Sequence, residues 1–290
     1  MAGNLQTIGD FRRHLAGELK DIYPQGEAGA VISFLIESVT GLTHIEQLKN
    51  DNRLVTSSES ELITRGSREL KTRRPVQHIA GYGWFMGRKF RVGAEVLIPR
   101  QETEELVLTA ISMAGSDFSG TIIDFCTGSG CIAVTLALTL PQATVWATDL
   151  HKETLQTASH NINQYGAMVN LVRHNLLLND FSSLPQASIL VANPPYVRES
   201  EKALMEPGVL NFEPHTALFV PDDDPLLFYR SLLEAVRRLL VPGGRFCFEI
   251  NEALGPDTLD LFDTSFISDC LIVNDINSKN RFITGTRASG

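Results

Sequence analysis

The stretch TIIDFCTGSGCIAVTLALTL, Thr121–Leu140, decides how the rest of the chain is read. Thr121 to Cys126 is a short, β-branched apolar run with the length of a buried strand, and Cys131 to Leu140 is an apolar segment long enough for a helix. The loop between them, Asp124-Phe125-Cys126-Thr127-Gly128-Ser129-Gly130, carries glycines that let a backbone turn sharply and approach a ligand closely. Gly128-Ser129-Gly130-Cys131-Ile132-Ala133 fits the G-x-G-x-x-G/A pattern, and Asp149 stands nineteen residues past Gly130, where a carboxylate can accept hydrogen bonds from ribose hydroxyls. The candidate cofactor contacts are therefore Asp124, Cys126, Thr127, Gly128, Ser129, Gly130 and Asp149. Taken alone, the loop suits a nicotinamide dinucleotide as well as S-adenosylmethionine, and a bare strand-to-helix turn would look similar.

Working outward, short apolar runs at Ala143–Asp149, Val169–His174, Ser188–Ala192 and Arg245–Ile250 alternate with helical patterns. That alternation predicts an α/β domain built on a parallel sheet. Phe266–Asp275 and Arg281–Thr286 read as a closing antiparallel hairpin, and Asp222–Asp224 as a solvated cap ahead of a helix at Leu226–Leu240. Upstream the texture is helical. Ile8, Phe11, Leu15, Leu19 and Ile22 recur at helical spacing, a second apolar segment ends at Gly41, Ser58–Glu61 offers a capping box, and Pro75 stops the helix that follows. Val76–Pro99 is aromatic and glycine-punctuated and reads as a β-hairpin turning near Met86-Gly87-Arg88. The expected organisation is a helical recognition domain over residues 1–75, a hairpin linker over 76–100 and the α/β domain over 101–290.

The bulk numbers narrow the class. The 290 residues are 43% hydrophobic and 20% charged, which suits a globular chain with a sizeable core. No apolar run approaches the roughly 18 residues of a membrane span, and MAGNLQTIGDFRRH lacks the apolar centre of a signal peptide. A cytoplasmic protein is expected. Cys126, Cys131, Cys247 and Cys270 lack CxxC spacing, so buried thiols are expected and no metal site. Residues 1–100 hold 14 Lys/Arg against 11 Asp/Glu, whereas residues 101–290 hold 11 against 23. The acidic larger part argues against stable nucleic-acid binding. Lys71, Arg73, Arg74, Arg88, Lys89 and Arg91 form a basic strip free of acids.

Asn193-Pro194-Pro195-Tyr196 leaves the strand Ser188–Ala192. Two successive prolines fix two φ angles and push Asn193 to extended geometry, so the corner is stiff. It presents an amide, bare carbonyls and an aromatic ring at the carboxyl end of a parallel strand, where open α/β sheets bind ligands. That inventory suits a planar NH2 group. A dehydrogenase has no use for it, so the cofactor choice falls on S-adenosylmethionine.

With both motifs placed, the chain resembles the release-factor glutamine methyltransferases, the PrmC/HemK family, over nearly its whole length. Further matching stretches are Arg74-Pro75-Val76-Gln77-His78-Ile79-Ala80-Gly81, Leu97-Ile98-Pro99-Arg100-Gln101-Glu102-Thr103-Glu104, Phe212-Glu213-Pro214 with Ala217-Leu218, Glu249-Ile250, and Asn280-Arg281 with Gly285. The resemblance implies a Rossmann-like, seven-stranded class I methyltransferase domain preceded by a small helical bundle and a hairpin. It implies S-adenosylmethionine as cofactor and N5 of the glutamine in the Gly-Gly-Gln loop of class 1 peptide-chain release factors as the methyl acceptor. Carried onto this sequence, Asn193, Pro194 and Tyr196 are the catalytic candidates, and Asn193, Pro194, Pro195, Tyr196 and Glu213 meet the substrate. Asn175, Leu176 and Asn193 join the cofactor contacts.

The sequence also departs from the family pattern. Cys126 replaces a glycine, which is tolerable where the position needs no positive φ. Asn175-Leu176 replaces the acidic and aromatic pair often found beside adenine, Val220–Asp224 a glycine-rich turn, and Asn251 a glycine. Arg100 and Glu102 are expected to tie hairpin to sheet, and His78 and His215 to act as scaffolding. A glutamine methyltransferase of a ribosomal protein, a nucleic-acid adenine N6-methyltransferase and an idle binding protein remain alternatives. The expected protein is monomeric, with no membrane partner.

Overall fold

The computed structural model describes residues 6–24 and 26–289, so residues 1–5, Gln25 and Gly290 lie outside the description. The chain divides into two compact units: one runs up to Tyr82 and takes in Glu206–Phe212, and the other holds Gly83–Met205 and everything from Glu213 onward.

The first unit is helical, with α1 (Ile8–Leu19), α2 (Glu27–Thr40), α3 (His44–Lys49), α4 (Ser57–Leu70), α5 (Val76–Ala80) and the later α9 (Pro207–Phe212). Ile8, Phe11, Leu15 and Leu19 form one face of α1 and pack with Ile32, Leu35 and Ile36 of α2 and Ile63 and Leu70 of α4. Reciprocal capping boxes open three of the helices, pairing Thr7 with Asp10, Thr43 with Glu46 and Thr56 with Glu59. The cap of α4 thus begins at Thr56 rather than Ser58. Pro75 does not stop that helix, which ends at Leu70; it precedes α5, whose existence shortens the expected hairpin. Helix α2 ends where expected, at Gly41 with φ +73°.

The second unit opens with the hairpin β1 (Tyr82–Phe85) and β2 (Arg88–Arg91), the first residue of which still belongs to the helical unit. Helix α6 (Gln101–Ala114) follows, then β3 (Thr121–Phe125), α7 (Cys131–Thr139), β4 (Thr144–Asp149), α8 (Lys152–Tyr165), β5 (Val169–Arg173) and β6 (Ala187–Ala192). A short pair, β7 (Val197–Arg198) and β8 (Phe219–Val220), precedes α10 (Leu227–Leu239), β9 (Leu240–Glu249), α11 (Gly255–Phe262), β10 (Ile267–Asn274) and β11 (Asn280–Arg287).

The seven-stranded sheet has the order β10-β11-β9-β6-β3-β4-β5, parallel from β9 to β5 and antiparallel at β11 and β10. Its side chains alternate with the period of a strand. Ile122, Val145, Ala147, Ile189, Val191 and Cys247 pack toward one cluster with α6 and α7, and Ile123, Phe125, Leu190, Ala192, Phe246 and Phe248 toward the other with α10. Each fully buried aliphatic or aromatic side chain stabilises the fold by about 1.5–3 kcal/mol. Burial on both faces explains why the inner strands read as continuous apolar runs. No helix among the described residues is long and apolar enough to cross a membrane.

Asp222 and Asp224 are not merely solvated. Asp222 accepts hydrogen bonds from the Ser200 backbone N–H and hydroxyl, and Asp224 pairs with Arg230. Of the four cysteines, Cys131 and Cys247 are buried, whereas Cys126 and Cys270 are half-buried.

Candidate active site

From β3 the chain crosses to β4 on one side, while β6 and β9 lie on the other, so the sheet's switch point falls between β3 and β6. Phe125 and Ala192 are register partners at the ends of these two parallel strands. The loop starting at Cys126 and the corner starting at Asn193 therefore leave the same sheet edge side by side, on strands about 4.8 Å apart. A cleft opens there, lined by residues of the second unit that include Glu95–Arg100, Cys126–Ser129, Thr148–His151, His174–Leu177, Asn193, Pro195 and Phe228.

Backbone freedom shapes the loop. Cys126, Gly128 and Gly130 have φ of +57°, +56° and +80°. Gly130 must stay small as well, since a Cβ there would stand 3.3 Å from that of Ala158 on α8. Cys126 thus occupies the left-handed region after all, and the condition under which its replacement of a glycine was tolerable is not met. The Thr127 N–H donates to the Thr148 carbonyl at 2.9 Å, and the Gly128 N–H to Asp149 Oδ2 at 3.0 Å. Asn161, fully buried on α8, donates to the Ser129 carbonyl at 2.7 Å and to the Arg91 carbonyl at 3.1 Å, and accepts from the Arg91 N–H at 2.8 Å.

Asp124 lies wholly buried beneath the loop, where Oδ2 accepts from the Thr127 hydroxyl at 2.5 Å. Burial pushes its carboxyl up to about 7, a shift that the Thr127 hydrogen bond opposes and the charge of Asp149 assists. Burial also raises Asp149, against the N–H groups of Gly128 and His151 that bind its carboxylate.

The corner is held differently. Asn193 Nδ2 lies 3.0 Å from the Thr103 hydroxyl oxygen, and that hydroxyl donates to Glu249 Oε2 at 2.8 Å. The Tyr196 hydroxyl donates to the other oxygen of Glu249 at 2.8 Å, and Asn251 Nδ2 donates to the Tyr196 carbonyl at 3.0 Å. Glu249 is buried at the end of β9. Its carboxyl is raised by that burial, against the hydrogen bonds from Thr103 and Tyr196 and the charge of Arg281.

Of the residues singled out from the sequence, Cys126, Thr127, Gly128, Ser129, Asp149, Asn175, Leu176, Asn193 and Pro195 line the cleft. Asp124, Gly130, Pro194, Tyr196 and Glu213 are not among its lining residues. Tyr196 instead borders a second concavity with Glu201, Asn251 and Arg281. Glu213 is buried, accepting from the Ile98 N–H at 3.0 Å and from Arg100 Nη2 at 2.6 Å, so Arg100 ties the Ile98–Arg100 segment to the stretch that precedes β8.

Sequence reasoning missed Glu95, Thr103, His174 and Phe228 as cleft residues. The LIPR run, Leu97 to Arg100, matches a family motif, yet nothing local in it reveals that it forms a wall. Glu95 is fixed from α8: its carbonyl accepts from Thr154 and its carboxylate from Thr157.

The donor set fits an adenosyl cofactor. Gly128 offers an open backbone with nothing within 4 Å of where a Cβ would stand. Asp149 reaches the cleft with a carboxylate suited to ribose hydroxyls, and His174, on the same wall, keeps its buried Nε2 without a hydrogen-bond partner. Burial lowers the His174 imidazole, which favours the neutral ring.

Comparison with known proteins agrees. The Methyltransferase small domain family matches residues 85–207. The release factor glutamine methyltransferase of Bacteroides thetaiotaomicron is 37% identical over 94% of this chain and 98% of its own length. That of Flavobacterium psychrophilum is 35% identical over 95% and 98%. Among solved structures, a methyltransferase from Pyrococcus furiosus superposes with a TM-score of 0.51 at 15% identity, covering 81% of this chain and all of that one, a likeness of fold alone. Near-full-length identity to these relatives, together with the seven-stranded fold and its adenosyl-compatible cleft, places the chain in the family of release factor glutamine methyltransferases, which are S-adenosylmethionine-dependent enzymes.

Proposed function

We propose that this chain methylates N5 of the glutamine in the Gly-Gly-Gln loop of class 1 peptide-chain release factors, with Asn193 and Pro194 as the groups that hold the acceptor. The observation that carries the reading is the register pair Phe125 and Ala192, which brings the glycine loop and the Asn193 corner to one edge of the sheet.

An amide nitrogen is a poor nucleophile because its lone pair is delocalised into its own carbonyl. When bound, S-adenosylmethionine supplies a methyl group made electrophilic by the adjoining sulfonium. Asn193 Oδ1 and the Pro194 carbonyl oxygen each accept one N–H of the substrate amide, which holds the nitrogen and aims its lone pair. As positive charge develops on that nitrogen, both oxygens present negative dipoles that were in place beforehand. The spare proton of the methylated nitrogen leaves to water, so no side chain of the cleft need act as a base.

On the cofactor side, the Gly128 backbone and Asp149 would hold the ribose end, Asn175 and Leu176 would face the adenine, and Asp124 would supply negative charge beneath the loop for the cationic amino-acid end. Tyr196 and Glu213 act from behind the surface by fixing the corner and the Ile98–Arg100 wall. The helical unit belongs to substrate recognition, and the exposed Ile45 and Leu48 of α3 suit it to a protein partner. The enzyme acts in the cytoplasm as a monomer without stable nucleic-acid binding.

Mass spectrometry of a recombinant release factor incubated with enzyme and cofactor tests the assignment. A gain of about 14 Da, the mass of one added CH2, is expected on the intact factor and not on a copy whose loop glutamine is replaced. A gain on both copies, or on neither, overturns the proposed target.

A further inference from the structure

We propose that Thr103 and Glu249 are positioning residues that orient the Asn193 amide, turning its oxygen toward the incoming NH2 group. The inference deepens, and rests on, the reading of Asn193 as an acceptor.

A chain of forced choices carries it. Glu249, buried at the end of β9, takes one hydroxyl on each oxygen, from Thr103 and from Tyr196, and these bonds with the charge of Arg281 favour its carboxylate form against burial, in which it has lone pairs to offer and no proton. The single hydroxyl proton of Thr103 is committed to Glu249 Oε2 at 2.8 Å, which leaves the Thr103 oxygen able only to accept from Asn193. The Asn193 atom facing it at 3.0 Å must then be the NH2 end. Oxygen and nitrogen of a carboxamide are otherwise interchangeable by a half-turn, so chemistry here fixes what shape leaves open. Asn193 Oδ1 is the end left for a ligand.

The same carboxylate holds the other end of the corner. Its second oxygen accepts from the Tyr196 hydroxyl at 2.8 Å, and the Glu249 backbone carbonyl accepts from Tyr229 at 3.0 Å. One buried group therefore grips Asn193 through Thr103 and Tyr196 directly. Hydrogen bonds in series also polarise one another, so donation toward Glu249 enriches Asn193 Oδ1 as an acceptor. Thr103 lines the cleft, yet its hydroxyl is already used on both sides, which makes it a support for the acceptor and not a second one.

Steady-state kinetics on Thr103→Val, Thr103→Ser and Glu249→Gln, with cofactor affinity from calorimetry and melting temperatures alongside, test the assignment. Thr103→Val keeps the shape and removes the hydroxyl; kcat is expected to fall about tenfold or more, while the release-factor KM and cofactor Kd stay within about threefold. Thr103→Ser restores the hydroxyl and is expected to recover kcat to within about threefold. In Glu249→Gln a carboxamide can donate to Thr103, which frees the Thr103 proton for Asn193 and lets the Asn193 NH2 turn into the cleft. A loss comparable to that of Thr103→Val is expected.

The proposal is overturned if Thr103→Val keeps kcat within about twofold, if the serine variant is as slow as the valine one, or if the loss lies wholly in KM. Should the valine variant not fold, full kcat in Glu249→Gln overturns it equally. A wild-type enzyme that methylates a different amide or exocyclic amine sinks the release-factor reading alone, because the three variants are then ranked on that acceptor.

Discussion

The loop Cys126–Gly130 and the corner Asn193–Tyr196 leave adjacent strands from register-paired residues, yet the two are made rigid by opposite means. The loop is shaped by its backbone, with three positive φ values and N–H groups tied to Thr148 and Asp149. The corner has no positive φ and is instead locked by two prolines and by side chains that converge on Glu249. A loop that must lie close to a cofactor gains from having little side chain in the way. A corner that must present a few acceptors in one orientation gains from a buried anchor behind it. The same sheet edge thus carries a surface for binding and a device for aiming.

The sharpest way to break that division is Asn193→Ala. If the corner aims and the loop binds, removing one preorganised acceptor removes on the order of 3 kcal/mol of transition-state stabilisation, about a hundredfold in turnover. Cofactor affinity is expected to stay within several-fold. Turnover unchanged from wild type in single-turnover assays would end the account of the corner, and a collapse of cofactor binding would show that the two regions do not divide the work as described.

Much of this was readable beforehand, and what was not has a physical cause. The parallel strands were legible because burial on both faces makes them uninterrupted apolar runs; Val169–His174, for example, differs from β5 by one residue. Strand β9 starts five residues before the expected Arg245, since Val241-Pro242-Gly243-Gly244 carries the marks of a turn and is nonetheless drawn into the strand's length. Helix α3, HIEQLK, is only six residues long and leaves its two apolar side chains, Ile45 and Leu48, exposed, so it lacks the longer apolar pattern by which helices such as α1 were read. Within the site, the glycines and prolines announced their own backbone constraints. The pairing of Thr103 with Glu249 did not, because it joins residues 146 positions apart and only the folded sheet brings them together. Nothing in a cysteine itself marks a positive φ, and the one sign at Cys126 was the family glycine that it replaces.

A second test concerns charge beneath the loop. Burial holds the Asp124 carboxyl at about 7, above its unfolded value of 3.8. Without cofactor, the folded chain keeps a proton that the unfolded chain has lost between those values, so this group's contribution to stability is full below about pH 4 and declines as pH rises toward 7. Asp124→Asn has no such proton, and without cofactor its melting temperature is expected to gain on wild type between pH 5 and 8. A cationic cofactor reverses the preference, favouring the ionised form. Wild-type cofactor affinity, taken relative to the Asp124→Asn variant, is therefore expected to rise by up to about tenfold per pH unit approaching pH 7 and to level off above it. Calorimetry on the two proteins at pH 5.5, 6.5 and 7.5 checks this, and a pH-independent ratio would remove Asp124 from the cofactor's surroundings.

The smallest effect probes the loop's backbone at its least expected residue. A non-glycine residue in the left-handed region carries strain of about 1–2 kcal/mol, and Cys126 at φ +57° is such a residue. Glycine there would relieve the strain but give the unfolded chain more freedom, which offsets about 0.4–1 kcal/mol of the gain. The thiol packs against the cluster that holds Phe125, Leu176 and Phe181, and losing that contact trims the gain further. Cys126→Gly is accordingly expected to raise stability by about 0.5 kcal/mol, whereas Cys126→Val, with a branched Cβ in the same conformation, is expected to lower it. Urea unfolding of both variants decides the sign. If glycine destabilises by more than about 1 kcal/mol, the thiol's contacts matter more than its backbone, and the loop would be held by side chains in the manner of the corner.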